Sequence, residues 1–146
     1  RRSNIEKVKF KLIQDNIKIL KSSSYYESLS WPNKGNPKFL NIVLQIDTNL
    51  TPKDLLFRCK MIEKSLGRKK GPKNSPRICD IDVLDYKMML NNEKIILPHP
   101  RLHRRNFVLL PLYELDKNWR HPISKYHIKR LIFSLSLSDI RSIKQI

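Results

Sequence analysis

An α+β fold follows from three features of the sequence. An apolar stripe recurs at helical spacing near the N-terminus, residues 39–48 alternate between two faces, and Thr51-Pro52 announces a second helix. Helices that bury one stripe against one face of an antiparallel sheet make the layered arrangement of that class. At 146 residues the chain suits one domain, 1–146, with a core that needs neither disulfides nor a structural metal.

Taken in order, Ser3 and Glu6 form a Ser-x-x-Glu capping box. Behind it Ile5, Val8, Leu12, Ile13, Ile17 and Leu20 predict one amphipathic helix of about four or five turns. Residues 21–30 predict a strand leading into the loop Ser30 to Lys38, which holds two prolines, a glycine and two asparagines. In Phe39 to Thr48 the period-two alternation places Leu40, Ile42, Leu44 and Ile46 on a core face. Phe39, Asn41, Val43 and Gln45 fall on the other, half-open face.

Thr51 is the expected N-cap of the second helix, with Pro52 at its first position and Asp54 in its first turn. Leu55, Leu56, Cys59, Ile62 and Leu66 form its buried stripe, and Gly67 stops it. A basic loop, Arg68 to Arg77, precedes a predicted strand from Ile78 to Tyr86. Residues 87–97 predict a hairpin turning at Asn91-Asn92, the stretch from Pro98 a loop into a short helix, and residues 126–136 a last helical piece. With one strand restored before Ser3, the element order becomes the β-α-β-β-α-β ferredoxin-like pattern.

No apolar run approaches the ~18 residues that span a bilayer, and the N-terminus lacks a signal-peptide pattern. Cys59 and Cys79 have neither framework nor metal-ligand spacing, and read as small buried residues in a reducing cytoplasm. The net charge of +17 favours an anionic partner: nucleic acid, an anionic membrane or a phosphate-rich small molecule. A P-loop, a dinucleotide-binding glycine motif and a protein-kinase catalytic loop are all absent from the sequence.

The sharpest chemical signal is Asp80-Ile81-Asp82. On a strand both carboxylates share one face, while Cys79, Ile81 and Val83 point into the core. Two such acids repel unless a cation lies between them, and Mg²⁺ is commonly held by one or two carboxylates plus substrate phosphates. An exposed acidic edge is the plainer reading of Asp-x-Asp alone. Here, however, Arg68, Lys69, Lys70, Lys73 and Arg77 precede the acids, and Arg101, His103, Arg104 and Arg105 follow. Acids bracketed by cations suit phosphoryl transfer, which rests on positioning and charge stabilisation. Arg77 and Arg105 offer rigid forks for phosphate oxygens. His99 is fixed between Pro98 and Pro100, and Phe39 beside Asn41 suits a flat heterocycle with hydrogen-bonding edges. A basic nucleic-acid-binding module is the alternative, but it leaves the acids on the basic face unexplained.

FLN at 39–41, Glu63 with LGR at 66–68, PRICDIDVLDY, LPHPRLHRRNFVLLPLYEL and His121-Pro122 together resemble 6-hydroxymethyl-7,8-dihydropterin pyrophosphokinase, in order from about residue 3 to residue 123. The resemblance implies transfer of diphosphate from ATP to the hydroxymethyl group of the dihydropterin in folate biosynthesis. It implies Mg²⁺, as two ions, at Asp80 and Asp82, and Phe39 and Phe107 sandwiching the pterin. Asn41 would bond the pterin edge, and Ser28 would contribute a contact there. Glu63, Arg77, His99 and Arg105 match ATP-contacting positions, with Lys60 where a glutamine is common. Arg68 and Lys70 would lie in a catalytic loop that closes over the nucleotide. That loop reads KNSPR, with Asn74 or Ser75 where several members carry tryptophan. ATP and the pterin are the implied partners, without nucleic acid or membrane, and fusion to other folate-pathway enzymes is compatible with the abrupt start at Arg1. The family begins with a central strand and a Gly-Ser-Asn segment before the first helix, so the chain as given is expected to be N-terminally truncated, poorly stable and nearly inactive.

Overall fold

A computed structural model describes residues 1–29, 35, 37–67 and 78–146. The loop Ser30–Lys38 lies largely outside these residues, and the basic loop Arg68–Arg77 entirely so. The described residues form an α+β fold of helices and short antiparallel ladders.

Helix α1, Arg2–Gln14, buries Ile5, Val8 and Leu12. It is shorter than the apolar spacing suggested. Asn16 adopts φ +60, and the Ile17 amide folds back onto the Leu12 carbonyl at 3.0 Å, delivering Ile17 to the core from outside the helix. The expected capping box does not form either. Helical bonding begins at the Arg1 carbonyl, so Ser3 is already inside the helix, and the Glu6 carboxylate accepts from the Tyr25 hydroxyl instead.

Strand β1, Lys18–Ser22, pairs with β4, Leu44–Asp47, around a bulge between Ile19 and Lys21. Strand β2, Tyr26–Ser28, pairs with β3, Phe39–Asn41, which sets Tyr26 opposite Asn41 and Ser28 opposite Phe39. The single strand expected over 39–48 is therefore two, in separate ladders. Ser23 marks the break: its amide donates to the Val43 carbonyl and its hydroxyl accepts from the Val43 amide, each at 2.9 Å. A one-residue irregularity flips the facing of a strand. Val43, expected on the half-open face, is consequently buried, while Leu44 and Ile46 pack on the core as predicted.

Helix α2, Pro52–Ser65, follows its predicted start. The Thr51 side chain accepts from the Asp54 amide, and Pro52 opens the helix. Leu55, Cys59 and Ile62 are buried as expected, and burial pushes the Cys59 thiol up to about 11. They join Val8, Leu12 and Ile17 in a first core cluster.

Residues 78–86 depart from prediction, because no ladder includes them among the described residues. Their backbone is satisfied elsewhere: the Ile81 amide donates to Glu63, and the Leu84 carbonyl accepts from the His99 amide. The alternation nevertheless holds. Cys79, Ile81 and Val83 pack on the first core, whereas Asp80 and Asp82 are exposed. Leu84 reaches a second core of Leu102, Val108, Leu109, Trp119, Ile128 and Leu131.

The hairpin forms as β5, Asn91–Asn92, and β6, Ile96–Leu97. Its turn is 93–95 rather than Asn91-Asn92, since the Asn91 side chain accepts from the Glu93 amide and Asn91 itself pairs with Leu97. A 3₁₀ turn, Leu102–Arg104, leads to α3, Asn106–Leu115. Helix α4, Ile128–Phe133, realises the last predicted piece. Helix α5, Leu137–Ser142, and strand β7, Lys144–Gln145, were not predicted, and β7 adds to the free side of β2. Among the described residues no helix is long and apolar enough to cross a membrane.

Glu114 of α3 ties that helix to the strands. Its carboxylate accepts from the Ser24 amide and hydroxyl and from the Tyr26 hydroxyl. Slight desolvation of this exposed residue opposes ionisation, but the bonds from Ser24 and Tyr26 prevail and hold the carboxyl below its ordinary value. The Tyr26 phenol is pushed up to about 12 by burial and by Glu114. A depressed carboxyl stabilises the fold above its unfolded value and loses that contribution as pH falls. Glu114→Gln should therefore lower the urea midpoint at pH 7 by the equivalent of roughly 0.5–1 kcal/mol. Below pH 4.5, the ordinary carboxyl value, the gap from the unsubstituted protein should close.

Candidate active site

Asp80 and Asp82 project from a segment whose intervening side chains are pinned in the core, so both carboxylates open to the same side. Around Asp82 the structure gathers two groups from the turn after the hairpin. Arg105 Nη1 lies 3.1 Å from Asp82 Oδ2, and His99 Nε2 lies 3.9 Å from the same oxygen. His99 is aimed by its own backbone, because its amide donates to the Leu84 carbonyl at 2.8 Å. Its Nδ1 accepts from the Arg101 amide at 3.1 Å, which leaves Nε2 as the proton-bearing nitrogen of the neutral ring. Burial pushes the His99 imidazole below its ordinary value. Asp82 works against that shift, and Arg105 and Arg101 reinforce it.

A cleft of about 280 Å³ opens beside Asp82 and His99. Ile81, Val83 and Ile95 are among its apolar lining, and Lys60 and Lys94 line it with them. Lys94 was missed in the sequence, where only the hairpin's return toward His99 could have signalled it. Lys60 also reaches Glu63 at 3.4 Å. Glu63, expected among ATP-contacting positions, is 1% exposed, and its Oε1 accepts from the Ile81 amide at 2.8 Å.

A second group forms on the β2–β3 ladder. Asn41 Nδ2 donates to Ser28 Oγ at 2.9 Å and to the Tyr26 carbonyl at 3.4 Å. Both amide protons are thus directed inward, and Oδ1 is the atom left to accept from a ligand. Ser28 is buried, and Phe39 opposite it is 51% exposed. Phe107 stands in the first turn of α3, and the Arg105 guanidinium lies 5.3 Å from its ring centroid. Arg105 accordingly lies between Asp82 and Phe107. The start of α3 is latched by a feature absent from the sequence reading: Asn106 Nδ2 donates to the Asp139 carbonyl and the Ser142 hydroxyl of α5. Arg68, Lys70 and Arg77 lie outside the described residues.

The donor set at the acid pair is hard oxygen from two carboxylates, which fits Mg²⁺ sharing its remaining positions with phosphate and water. No cluster of three or more His, Cys, Asp or Glu able to hold a metal occurs among the described residues. An α+β domain with carboxylates and cations on one face has the charge arrangement that phosphoryl-transfer chemistry uses. The family model described as 7,8-dihydro-6-hydroxymethylpterin-pyrophosphokinase matches residues 1–117, and the chain belongs to that family.

The 2-amino-4-hydroxy-6-hydroxymethyldihydropteridine pyrophosphokinase of Aquifex aeolicus is 40% identical over 118 residues, 80% of this chain and 74% of that protein. The folic acid synthesis protein fol1 of Pneumocystis carinii is 38% identical over 140 residues, 95% of this chain but 18% of that protein. The mitochondrial folate synthesis bifunctional protein of Arabidopsis thaliana is 41% identical over 98 residues, 66% of this chain and 18% of that protein. The chain thus spans most of the bacterial relative and under a fifth of the other two. A nucleic-acid-binding module finds no support in these comparisons.

Helix α2, which carries Lys60 and Glu63, ends at Gly67 with φ +95. A Cβ there would meet Ile78 Cδ1 at 3.0 Å, just before the chain reaches Asp80. Gly67→Ala should destabilise the protein by about 1–2 kcal/mol, read from the urea midpoint. Gly67→Asn should lose less, because asparagine tolerates the left-handed region better.

Proposed function

We propose that this chain transfers diphosphate from ATP to the hydroxymethyl oxygen of 6-hydroxymethyl-7,8-dihydropterin, releasing AMP, as a step of folate biosynthesis. The observation that carries the reading is the exposed pair Asp80 and Asp82, set on one side of a core-anchored segment with Arg105 and His99 at Asp82. In this reading Asp80 and Asp82 hold magnesium, as two ions, through their carboxylate oxygens. When bound, magnesium supplies charge neutralisation and alignment of the phosphate oxygens. The pterin hydroxyl oxygen forms a bond to the β-phosphorus, the bond to the α-phosphate oxygen breaks, AMP leaves and the hydroxyl proton is released.

The protein's contribution is positioning and charge. The apolar lining of the cleft takes the flat nucleobase, and Lys60 lines the same cleft. His99 Nε2–H and the Arg105 guanidinium donate to phosphate oxygens, Arg105 exchanging its contact with Asp82 for one with the triphosphate. Phe39 and Phe107 flank the pterin, and Asn41 Oδ1 accepts from its N–H edge, with Ser28 holding the amide in that orientation. From the sequence alone, Arg68, Lys70 and Arg77 are assigned to the phosphates. The finer fold is ferredoxin-like, supported by α1 and α2 covering the β1–β4 ladder through one core. A cytoplasmic location is supported by two free thiols, and attachment to other folate-pathway enzymes by the length of the Pneumocystis carinii and Arabidopsis thaliana relatives.

AMP release that requires both Mg²⁺ and the hydroxymethyl-dihydropterin tests the reaction. Asp82→Ala should reduce turnover by at least 10³-fold while the far-ultraviolet circular dichroism stays native. Retained turnover would sink the assignment of the metal. Ser28→Ala should raise the KM for the pterin about five- to tenfold, with a smaller change in kcat, because it frees the Asn41 amide without removing it. An equal loss in kcat would instead place Ser28 in the chemical step.

A further inference from the structure

We infer that Glu63 is a positioning residue that sets the geometry of Asp80 and Asp82 through the backbone between them. The inference rests on the reading of that acid pair as the cation site.

Glu63 lies on the inner side of α2 among Leu55, Cys59 and Ile62, and is 1% exposed. A carboxylate in such surroundings is kept only where it is hydrogen-bonded or paired. Two of its contacts have distinct consequences. Oε2 is 3.4 Å from Nζ of Lys60, which lines the cleft. Oε1 accepts from the Ile81 amide at 2.8 Å.

That amide belongs to the peptide joining Asp80 to Ile81, and Ile81 separates the two acids. Fixing it sets the plane of the peptide that leaves Asp80, while the Ile81 side chain is seated in the core. In a sheet, ladder partners would orient these residues, but no ladder includes 78–86 among the described residues. A side chain from α2 takes the place of the neighbouring strand at the point where the separation of the carboxylates is decided. Glu63 thus acts on the cation through the backbone, as outer groups act on metal ligands, where their loss typically weakens binding 10- to 100-fold.

The test is Mn²⁺ affinity of the full-length protein, measured by electron paramagnetic resonance with a non-hydrolysable ATP analogue, beside hydrogen exchange at the Ile81 amide. Glu63→Gln keeps an acceptor oxygen, and should hold Mn²⁺ affinity within about threefold. Glu63→Ala should weaken it at least tenfold, with the analogue and with Mn²⁺ alone, and speed exchange at Ile81. A tenfold loss in Glu63→Gln would overturn the inference in favour of a role for the charge itself, and this variant decides the matter if the alanine form does not fold. Unchanged Mn²⁺ affinity in a folded Glu63→Ala would also overturn it. Asp82→Ala separates the two levels: if it retains Mn²⁺, the cation site is misplaced, whereas if it alone loses Mn²⁺, only the role of Glu63 fails.

Discussion

Among the described residues no ladder serves the backbone of residues 79–85, and the site depends on where its hydrogen bonds go instead. Buried amides and carbonyls are almost always paired. Here the Ile81 amide goes to a helix side chain, and the Leu84 carbonyl goes to the amide of His99. Each bond has a second effect. The first holds the peptide between the two acids, and the second brings the imidazole to within 3.9 Å of Asp82. Between these anchors the side chains divide, with Cys79, Ile81 and Val83 going to one core and Leu84 to the other. One segment therefore joins both clusters and carries the carboxylates between them.

That dependence explains what the sequence made legible. Alternation survives without a ladder, because it reflects burial of every second side chain rather than strand pairing. Asp80 and Asp82 could thus be placed on an open face from spacing alone. The start of α2 was legible for a similar reason, since Thr51, Pro52 and Asp54 act within one turn. By contrast, the capping box at Ser3 and Glu6 failed in competition. Glu6 was drawn to Tyr25 and Lys9, and the helix began two residues earlier.

The remaining misses involve partners distant in sequence. Ser23 splits the 39–48 stretch by bonding both backbone groups of Val43, and the middle serine of a run of three gives no local sign of that. The latch of Asn106 onto Asp139 and Ser142 spans more than thirty residues. The role of Glu63 was equally hidden. The resemblance marks it as an ATP-contacting position, and nothing in the sequence announces its burial or its bond from the Ile81 amide.

The charge balance acquires a local meaning in this arrangement. A net +17 would draw any polyanion to the surface, but at Asp82 the positive groups are already answered. Arg105 holds the carboxylate at 3.1 Å and lies over the Phe107 ring. In the proposed reading, a divalent cation arriving with a triphosphate competes for Asp82 with a guanidinium whose planar fork fits phosphate equally well. Filling the site then exchanges one ion pair for two: carboxylate with metal, and arginine with phosphate. An unanswered acid pair would resist the approach of ATP, and the arginine at Asp82 removes part of that repulsion before the ligand arrives. In that reading the guanidinium beside Asp82 is also the one beside Phe107, so the nucleotide side and the pterin side of the site share one side chain.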